Sequence, residues 1–336
     1  MTCKPLLSIC IPTYNRAEYL KKSLESLVGQ ESFSEIEVVI SDNCSTDNTQ
    51  EVIAEFQKVY PNIAYFRNEE NIRDRNYPTV MMRAHGVFRK LCNDNLLYKE
   101  GTISYFLKAL SENANEKPCI FFLNGSKPSE SSDFICVNFN ELMYAISYFV
   151  TWIGGFGLWE EDCTNLKSEL NIFDTQLWQT YKFLADFAKR KKCLVLNKKM
   201  VGSFNVANKD LTYGIFKIFH DNYLNLLSPY INSGVISPNC LEWLKKDLLF
   251  NHFSVILLNW EIKNKLASYN SDNLKKIIFE GYSKEPYFKE FKSYYNKQKW
   301  QNQKVLFITK VKSKISDSLL GKLLLPIKRM LHIKLY

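Results

Sequence analysis

The sequence predicts an α/β fold built on a mostly parallel central sheet, followed by a helical C-terminal region. Three observations predict it. Through the first hundred residues, apolar runs of four to six residues alternate with segments whose apolar positions recur every three or four residues. Several of those runs end on a turn that carries a carboxylate. From about residue 211 onward, aromatic and Leu residues recur at helical spacing and glycine becomes rare.

The elements follow in order. "LLSICI" (6–11) is a continuous apolar run with β-branched content, as for a strand buried on both faces. Asn15 and Glu18 have the spacing of a capping box, and Leu20, Leu24, Leu27 and Val28 supply a helical stripe. "IEVVIS" (36–41) is the second strand. Asp47 and Gln50 offer another capping box ahead of Val52, Ile53, Phe56 and Val59. "IAYF" (63–66) is the third strand, and residues 76–85 are predicted helical, with Pro78 tolerated in the first turn. "VFRKLC" (87–92) is the fourth strand, and "CIFFL" (119–123) and "FICVNF" (134–139) are further strands. Such alternation gives a parallel sheet with helices on both faces, and ligands bind outside the carboxyl ends of its strands. Pro12 with Thr13, Asp42 and Asp94 each follow a strand at that end, so three strand ends point at one crevice. The boundary falls near residue 210, with 1–210 as the α/β domain and 211–336 as the helical region.

Composition narrows the class. A chain of 336 residues with 46% hydrophobic content can bury a sizeable core. Nine cysteines, none in a C-x-x-C pair, suggest neither a zinc ribbon nor a thioredoxin-type site. Most lie in apolar stretches, as free thiols of a reducing compartment do. No G-x-G-x-x-G follows the first strand and no G-x-x-x-x-G-K-[ST] occurs, which argues against a dinucleotide dehydrogenase or a P-loop enzyme. The early apolar run stops at Pro12 before a signal peptide's h-region is complete. "LMYAISYFVTWIGGFGLW" (142–159) is uncharged for 18 residues, the lower limit for a span, but its three glycines, Ser and Thr argue against one.

The ordered set "IPTYNRAEYL", "SDNCSTDNT" and "NDN", one after each of the first, second and fourth strands, resembles the family 2 glycosyltransferases, which have the nucleotide-sugar-binding GT-A fold. The resemblance covers roughly residues 5 to 200 and implies roles residue by residue. Pro12, Thr13 and Tyr14 match the segment that contacts the base and ribose, where a flat ring such as Tyr14 can cover the base. Asp42 matches the acid that accepts a hydrogen bond from uracil. Arg75, in "NIRDRN", lies where relatives carry an Arg facing the diphosphate. Asp94 falls at the metal-touching position, and Asn93 is placed to bond the ribose or the donor sugar. The family's two acids are reduced here to one. Mn²⁺ or Mg²⁺ would therefore be held by a single carboxylate, with diphosphate oxygens completing the shell. An inverting transfer also needs a general base. "WIGGFGLW" matches the family's acceptor loop, and Asp174, at a turn before a helix, is the base candidate, with Glu160, Glu161 and Asp162 as alternatives.

The resemblance implies a bacterial surface-polysaccharide enzyme using a UDP-sugar and a saccharide acceptor, lipid-linked, on the cytoplasmic face of the membrane. A non-catalytic nucleotide- or glycan-binding relative is the alternative, given the degenerate "NDN". A nucleotidyltransferase would want a Gly-rich basic loop after the first strand, and "IPTYNR" is not one. Net charge is +9, of which residues 301–336 hold +7, from seven Lys and one Arg against one Asp. Ile308, Val311, Ile315, Leu319, Leu323 and Ile327 recur at spacings of three and four there. That pattern is a basic amphipathic helix, broken near Pro326, of the kind that lies on anionic lipid. No nucleic-acid partner is expected, because the Lys run lacks a recognised module.

Overall fold

The structure is a computed structural model that describes residues 4–126, 132–164, 166, 170–204, 214–263 and 273–317. The chain divides into two compact units, residues 1–245 and 246–336.

In the first unit, strands β1 (Leu7–Thr13), β2 (Glu37–Asp42), β3 (Ile63–Arg67) and β4 (Phe88–Leu91) are parallel. Helices α1 (Ala17–Val28), α2 (Thr49–Gln57) and α3 (Asn76–Arg83) connect them in turn. A short strand β5 (Leu96–Tyr98) and helix α4 (Thr102–Asn113) lead to β6 (Cys119–Phe122) and β7 (Phe134–Cys136). Then come α5 (Phe139–Ile146), β8 (Gly157–Trp159), α6 (Trp178–Arg190), β9 (Cys193–Leu196) and β10 (Val201–Ser203). The main sheet has the order β3-β2-β1-β4-β8, with β8 antiparallel to β4. Two smaller sheets have the orders β6-β9-β7 and β10-β5. The winding runs from β1 out to β3 and then returns to the other side of β1, so the switch point of the sheet lies between β1 and β4.

The alternation of a pleated strand explains the packing. Leu7, Ile9 and Ile11 of β1 and Val38 and Ile40 of β2 share one cluster with Leu20, Leu24 and Leu27 of α1. Burying each of those leucines contributes roughly 1.5–3 kcal/mol. Cys10 and Val39 alternate with them and are buried too, beside α3 with its buried Val80 and Met81. The eight described cysteines are free thiols, and burial pushes those of Cys10, Cys119, Cys163 and Cys193 up. Those four stay protonated and act as small hydrophobes.

Several local expectations change. Residues 134–139 form a strand only to Cys136, because Asn138 accepts from the Glu141 N–H at 2.9 Å and caps α5. Glu141 reaches back to the Val137 N–H at 2.9 Å. The uncharged stretch 142–159 is broken into the end of α5, two 3₁₀ turns and β8. No helix among the described residues is long and apolar enough to cross a membrane. Two further helices follow, α7 (Tyr223–Asn232) in the first unit and α8 (Pro238–Asp247), whose last turn holds the 245/246 boundary.

The second unit holds α9 (Ser254–Lys263), α10 (Leu274–Tyr282) and α11 (Phe288–Asp317). Phe250, Phe279, Phe291 and Tyr295 pack ring to ring, with Phe291 and Tyr295 fully buried. Beyond that cluster, Trp300, Val305, Phe307 and Ile308 of α11 are exposed. The predicted basic stripe runs past 317, so its second half, including Pro326, lies outside the described residues.

Candidate active site

The strand ends do converge. Thr13 closes β1 opposite Asp42 of β2, and its hydroxyl donates to Asp94 Oδ2 at 3.0 Å across the switch point. Arg16, at the N-cap of α1, donates from Nη1 to Asp94 Oδ1 at 3.0 Å. Asp94 is only 3% exposed. Burial pushes its carboxyl up, and Arg16 and the Thr13 hydroxyl pull it partway back. The two amides beside it differ. Asn95 donates to the Phe204 carbonyl at 2.8 Å and is structural. Asn93 Oδ1 is buried with no hydrogen-bond partner among the described residues. Tyr14, on the loop after β1, is 42% exposed.

Asp42 is fully buried. Its Oδ1 accepts from the Ser45 N–H at 2.9 Å, and its Oδ2 accepts from the Tyr65 hydroxyl at 2.8 Å, with Arg67 at 3.8 Å. The expected capping boxes are replaced by stitches between loops. Asn15, at φ +50°, takes the Thr46 N–H at 2.7 Å, and its own N–H donates to Ser45 Oγ at 2.8 Å. Asp47 accepts from the Ala17 N–H at 3.0 Å with one oxygen and from the Thr49 N–H at 3.2 Å with the other, so one carboxylate serves the starts of α1 and α2. Glu18 instead pairs with Lys22 at 2.6 Å. A capping pattern read along the chain misses this, because the competing acceptors come from the neighbouring βα loop.

Arg75 sits on the loop after β3. That loop is held to the end of β2 by amides: Asn43 accepts from Asn68 and the Ile72 N–H, and Asn76 donates to the Ser41 carbonyl at 2.8 Å. Arg75 itself is exposed and has no ion-pair partner among the described residues.

The glycine segment is a packed joint. A Cβ on Gly154 would meet the Trp152 ring at 2.5 Å, one on Gly155 the Phe121 ring at 2.5 Å, and one on Gly157 the Phe88 ring at 2.5 Å. Lys90, 2% exposed, donates to the Gly154 carbonyl and lies 4.0 Å over the Phe122 ring. Burial pulls its pKa down. Sequence reasoning passed over this residue; a Lys inside an apolar strand run was the available signal.

The base candidates separate by topology. Because β8 runs antiparallel to β4, Trp159 pairs with Phe88 and the Glu160 N–H donates to Val87. Glu160 therefore lies at the start of β4, where it pairs with Lys4. Glu161 pairs with Lys117 and Arg190, and Asp162 with Arg190. All three follow the strand away from the crevice, with β4 running about 3.3 Å per residue between the two ends. Asp174 is exposed in a 3₁₀ turn before α6. Its neighbour Phe173 stacks on Trp178 at 6.3 Å, and Trp178 meets Phe156 of the glycine segment at 5.6 Å. Of the four acids, Asp174 is the one whose chain neighbour packs, through Trp178, toward the glycine segment.

With this geometry in view, residues 8–122 match the sequence profile of Glycosyl transferase family 2. Over those residues the chain is similar to the family 2 glycosyltransferases. Among curated relatives, it is 48% identical over 84 residues to the abequosyltransferase RfbV of Salmonella typhimurium, covering 24% of this chain and 25% of that protein. It is 32% identical over 114 residues to the GalNAc(5)-diNAcBac-PP-undecaprenol beta-1,3-glucosyltransferase of Campylobacter jejuni, covering 33% and 35%. The chain thus spans about a quarter to a third of these relatives' lengths. Among solved structures, TarS 1-349 of S. aureus in complex with UDP-GlcNAc superposes with a TM-score of 0.54 at 17% identity, covering 78% of this chain and 76% of that one. S. aureus TarS superposes at 0.52 and 15%, covering 89% and 55%. The fold is the GT-A glycosyltransferase fold, with the helical C-terminal region the sequence predicts.

The family implies a divalent ion, which the residues present fit poorly. Asp94 is the carboxylate that follows β4, and a hydroxyl and a guanidinium already engage its two oxygens. No group of three or more His, Cys, Asp or Glu side chains suited to a metal occurs among the described residues. Hard divalent ions want several oxygen ligands and are repelled by a neighbouring guanidinium.

Proposed function

We propose that the protein is an inverting glycosyltransferase that moves a sugar from a UDP-sugar to a lipid-linked saccharide in bacterial surface-polysaccharide synthesis. The observation that carries this reading is the convergence of Thr13, Asp42 and Asp94 at the carboxyl ends of neighbouring strands, with Asn93, next to Asp94, offering an unpaired buried acceptor. A buried acceptor without a partner favours a ligand that brings a donor, such as a ribose hydroxyl. Tyr14 covers the base, Asp42 takes its N–H, and Arg75 faces the diphosphate. The acceptor oxygen attacks the anomeric carbon as the bond to the diphosphate oxygen breaks, and the electron pair leaves with UDP. Asp174 takes the acceptor's proton. The UDP-GlcNAc named for the S. aureus structure and the undecaprenol diphosphate named for the Campylobacter relative support these substrate classes.

The test is UDP release across a panel of UDP-sugars. Asp174→Asn should lower turnover by about 10²–10⁴-fold while UDP affinity holds. Unchanged turnover would remove Asp174 from the chemistry. UDP binding without release from any sugar would favour a non-catalytic nucleotide-binding relative.

The same reading seats the protein peripherally on the cytoplasmic face through its basic tail. The exposed Trp300, Val305, Phe307 and Ile308 and the +7 charge of 301–336 support it. Each Lys or Arg near an anionic surface contributes about 1 kcal/mol. Removing 301–336 should abolish binding to phosphatidylserine vesicles; equal binding would place any membrane contact elsewhere.

A further inference from the structure

Asp94 sits where the family resemblance expects a metal ligand, yet its counter-ion is part of the chain. Arg16 Nη1 lies 3.0 Å from Oδ1, and the Thr13 hydroxyl lies 3.0 Å from Oδ2. A divalent ion would have to expel the guanidinium or bind beside it against the repulsion of its charge. The Arg16 side chain is 31% exposed, so a ligand can reach it. A guanidinium carries five N–H donors in a planar fork, and one of these goes to Asp94. The rest point to a planar or paired oxyanion, which is the chemistry of a diphosphate.

We propose that Arg16, held by Asp94 and Thr13, is the resident cation of this crevice and binds the donor's diphosphate directly, so that donor binding needs no divalent ion. This rests on the nucleotide-diphosphate reading above. It makes Asp94 a positioning residue that acts through Arg16. An ionised carboxylate at 3.0 Å fixes the fork, and the hydroxyl of Thr13 fixes the carboxylate. It also accounts for the reduction of the family's acidic pair to "NDN": a site that keeps its own guanidinium needs one carboxylate to hold it, and the flanking amides are free for Asn95 to brace Phe204 and for Asn93 to face the ligand.

The experiment is calorimetry on the full chain with UDP and with UMP, in EDTA and in Mn²⁺ or Mg²⁺. Wild type should bind UDP in EDTA within about threefold of its affinity in metal, since no ligand is lost. Arg16→Gln should weaken UDP by about ten- to a hundredfold in either buffer, the value of a charge-assisted contact, and weaken UMP much less. A merely structural role for Arg16 would weaken both nucleotides alike, and that result overturns the proposal. Asp94→Asn should weaken UDP in the wild-type background and add nothing in the Arg16→Gln background. A tenfold or larger gain from metal that survives Arg16→Gln would put the ion at Asp94 and also overturn it. UDP affinity untouched by either metal or Arg16→Gln would overturn the proposal while leaving nucleotide binding intact. Failure of wild type to bind UDP in any buffer would overturn the nucleotide reading and this proposal with it.

Discussion

Replacing Asp42 separates its two possible duties, because the structure prices them differently. The carboxylate is fully buried and accepts from the Ser45 N–H at 2.9 Å and the Tyr65 hydroxyl at 2.8 Å. Asp42→Ala strands both donors. The buried amide alone costs about 1–3 kcal/mol, and the half-buried phenol less, because it can turn to water, so about 2–4 kcal/mol is expected in all. Asp42→Asn keeps both contacts: its carbonyl accepts from Ser45, and its amide donates to the Tyr65 oxygen. Stability should then fall by only about 1 kcal/mol. If the carboxylate also accepts from the donor's base, losing its charge removes about 1.5–3 kcal/mol of binding, a ten- to hundredfold weaker UDP affinity. Urea unfolding reads the first quantity and calorimetry the second. An Asn variant that binds UDP like wild type would reduce Asp42 to a brace for the Ser45 loop and refute its role in the site.

Other perturbations test the scaffold. A methyl on Gly86 would lie 2.7 Å from the backbone nitrogen of Ser8, so Gly86→Ala should cost about 1–3 kcal/mol in urea unfolding; a neutral result would mean the strand shifts freely. Burial pushes the Glu37 carboxyl up, but the His85 N–H, the Ser8 hydroxyl and the His85 ring outweigh it and hold it below its usual value of 4.5. Its contribution is present above pH 4.5 and lost as pH falls through the lowered value, so Glu37→Gln should flatten that limb of the acid unfolding curve; an unchanged slope would count against the network. Burial pulls His252 from 6.5 down to about 4. The unfolded chain takes up that proton first, so stability should drop between pH 6.5 and 4 by up to about 3 kcal/mol, and His252→Leu should remove the drop. If the leucine variant shows the same slope in that window, another group is titrating.

The parallel sheet and its crevice were legible in the sequence because strand and helix periods are local: "LLSICI", "IEVVIS" and "VFRKLC" each announce themselves within six residues. The candidate residues at their carboxyl ends were legible for the same reason, since a strand's direction places the residue that follows it. Pairings across the fold were not legible. The sequence pattern for capping put Asn15 with Glu18, whereas the two βα loops cap each other. The order of acids after "WIGGFG" kept Glu160, Glu161 and Asp162 in play until the antiparallel register of β8 carried them to the far end of β4.

The run "NDN" shows the division most clearly. By itself the sequence determined that one carboxylate would stand at the end of the fourth strand, because chain order and apolar pattern suffice for that. Only the tertiary structure decided what that carboxylate faces. Arg16 is 78 residues away along the chain and reaches Asp94 because β1 and β4 are neighbours in the sheet. A buried charge is governed by the nearest opposite charge in space, and adjacency in space is what a linear pattern does not encode.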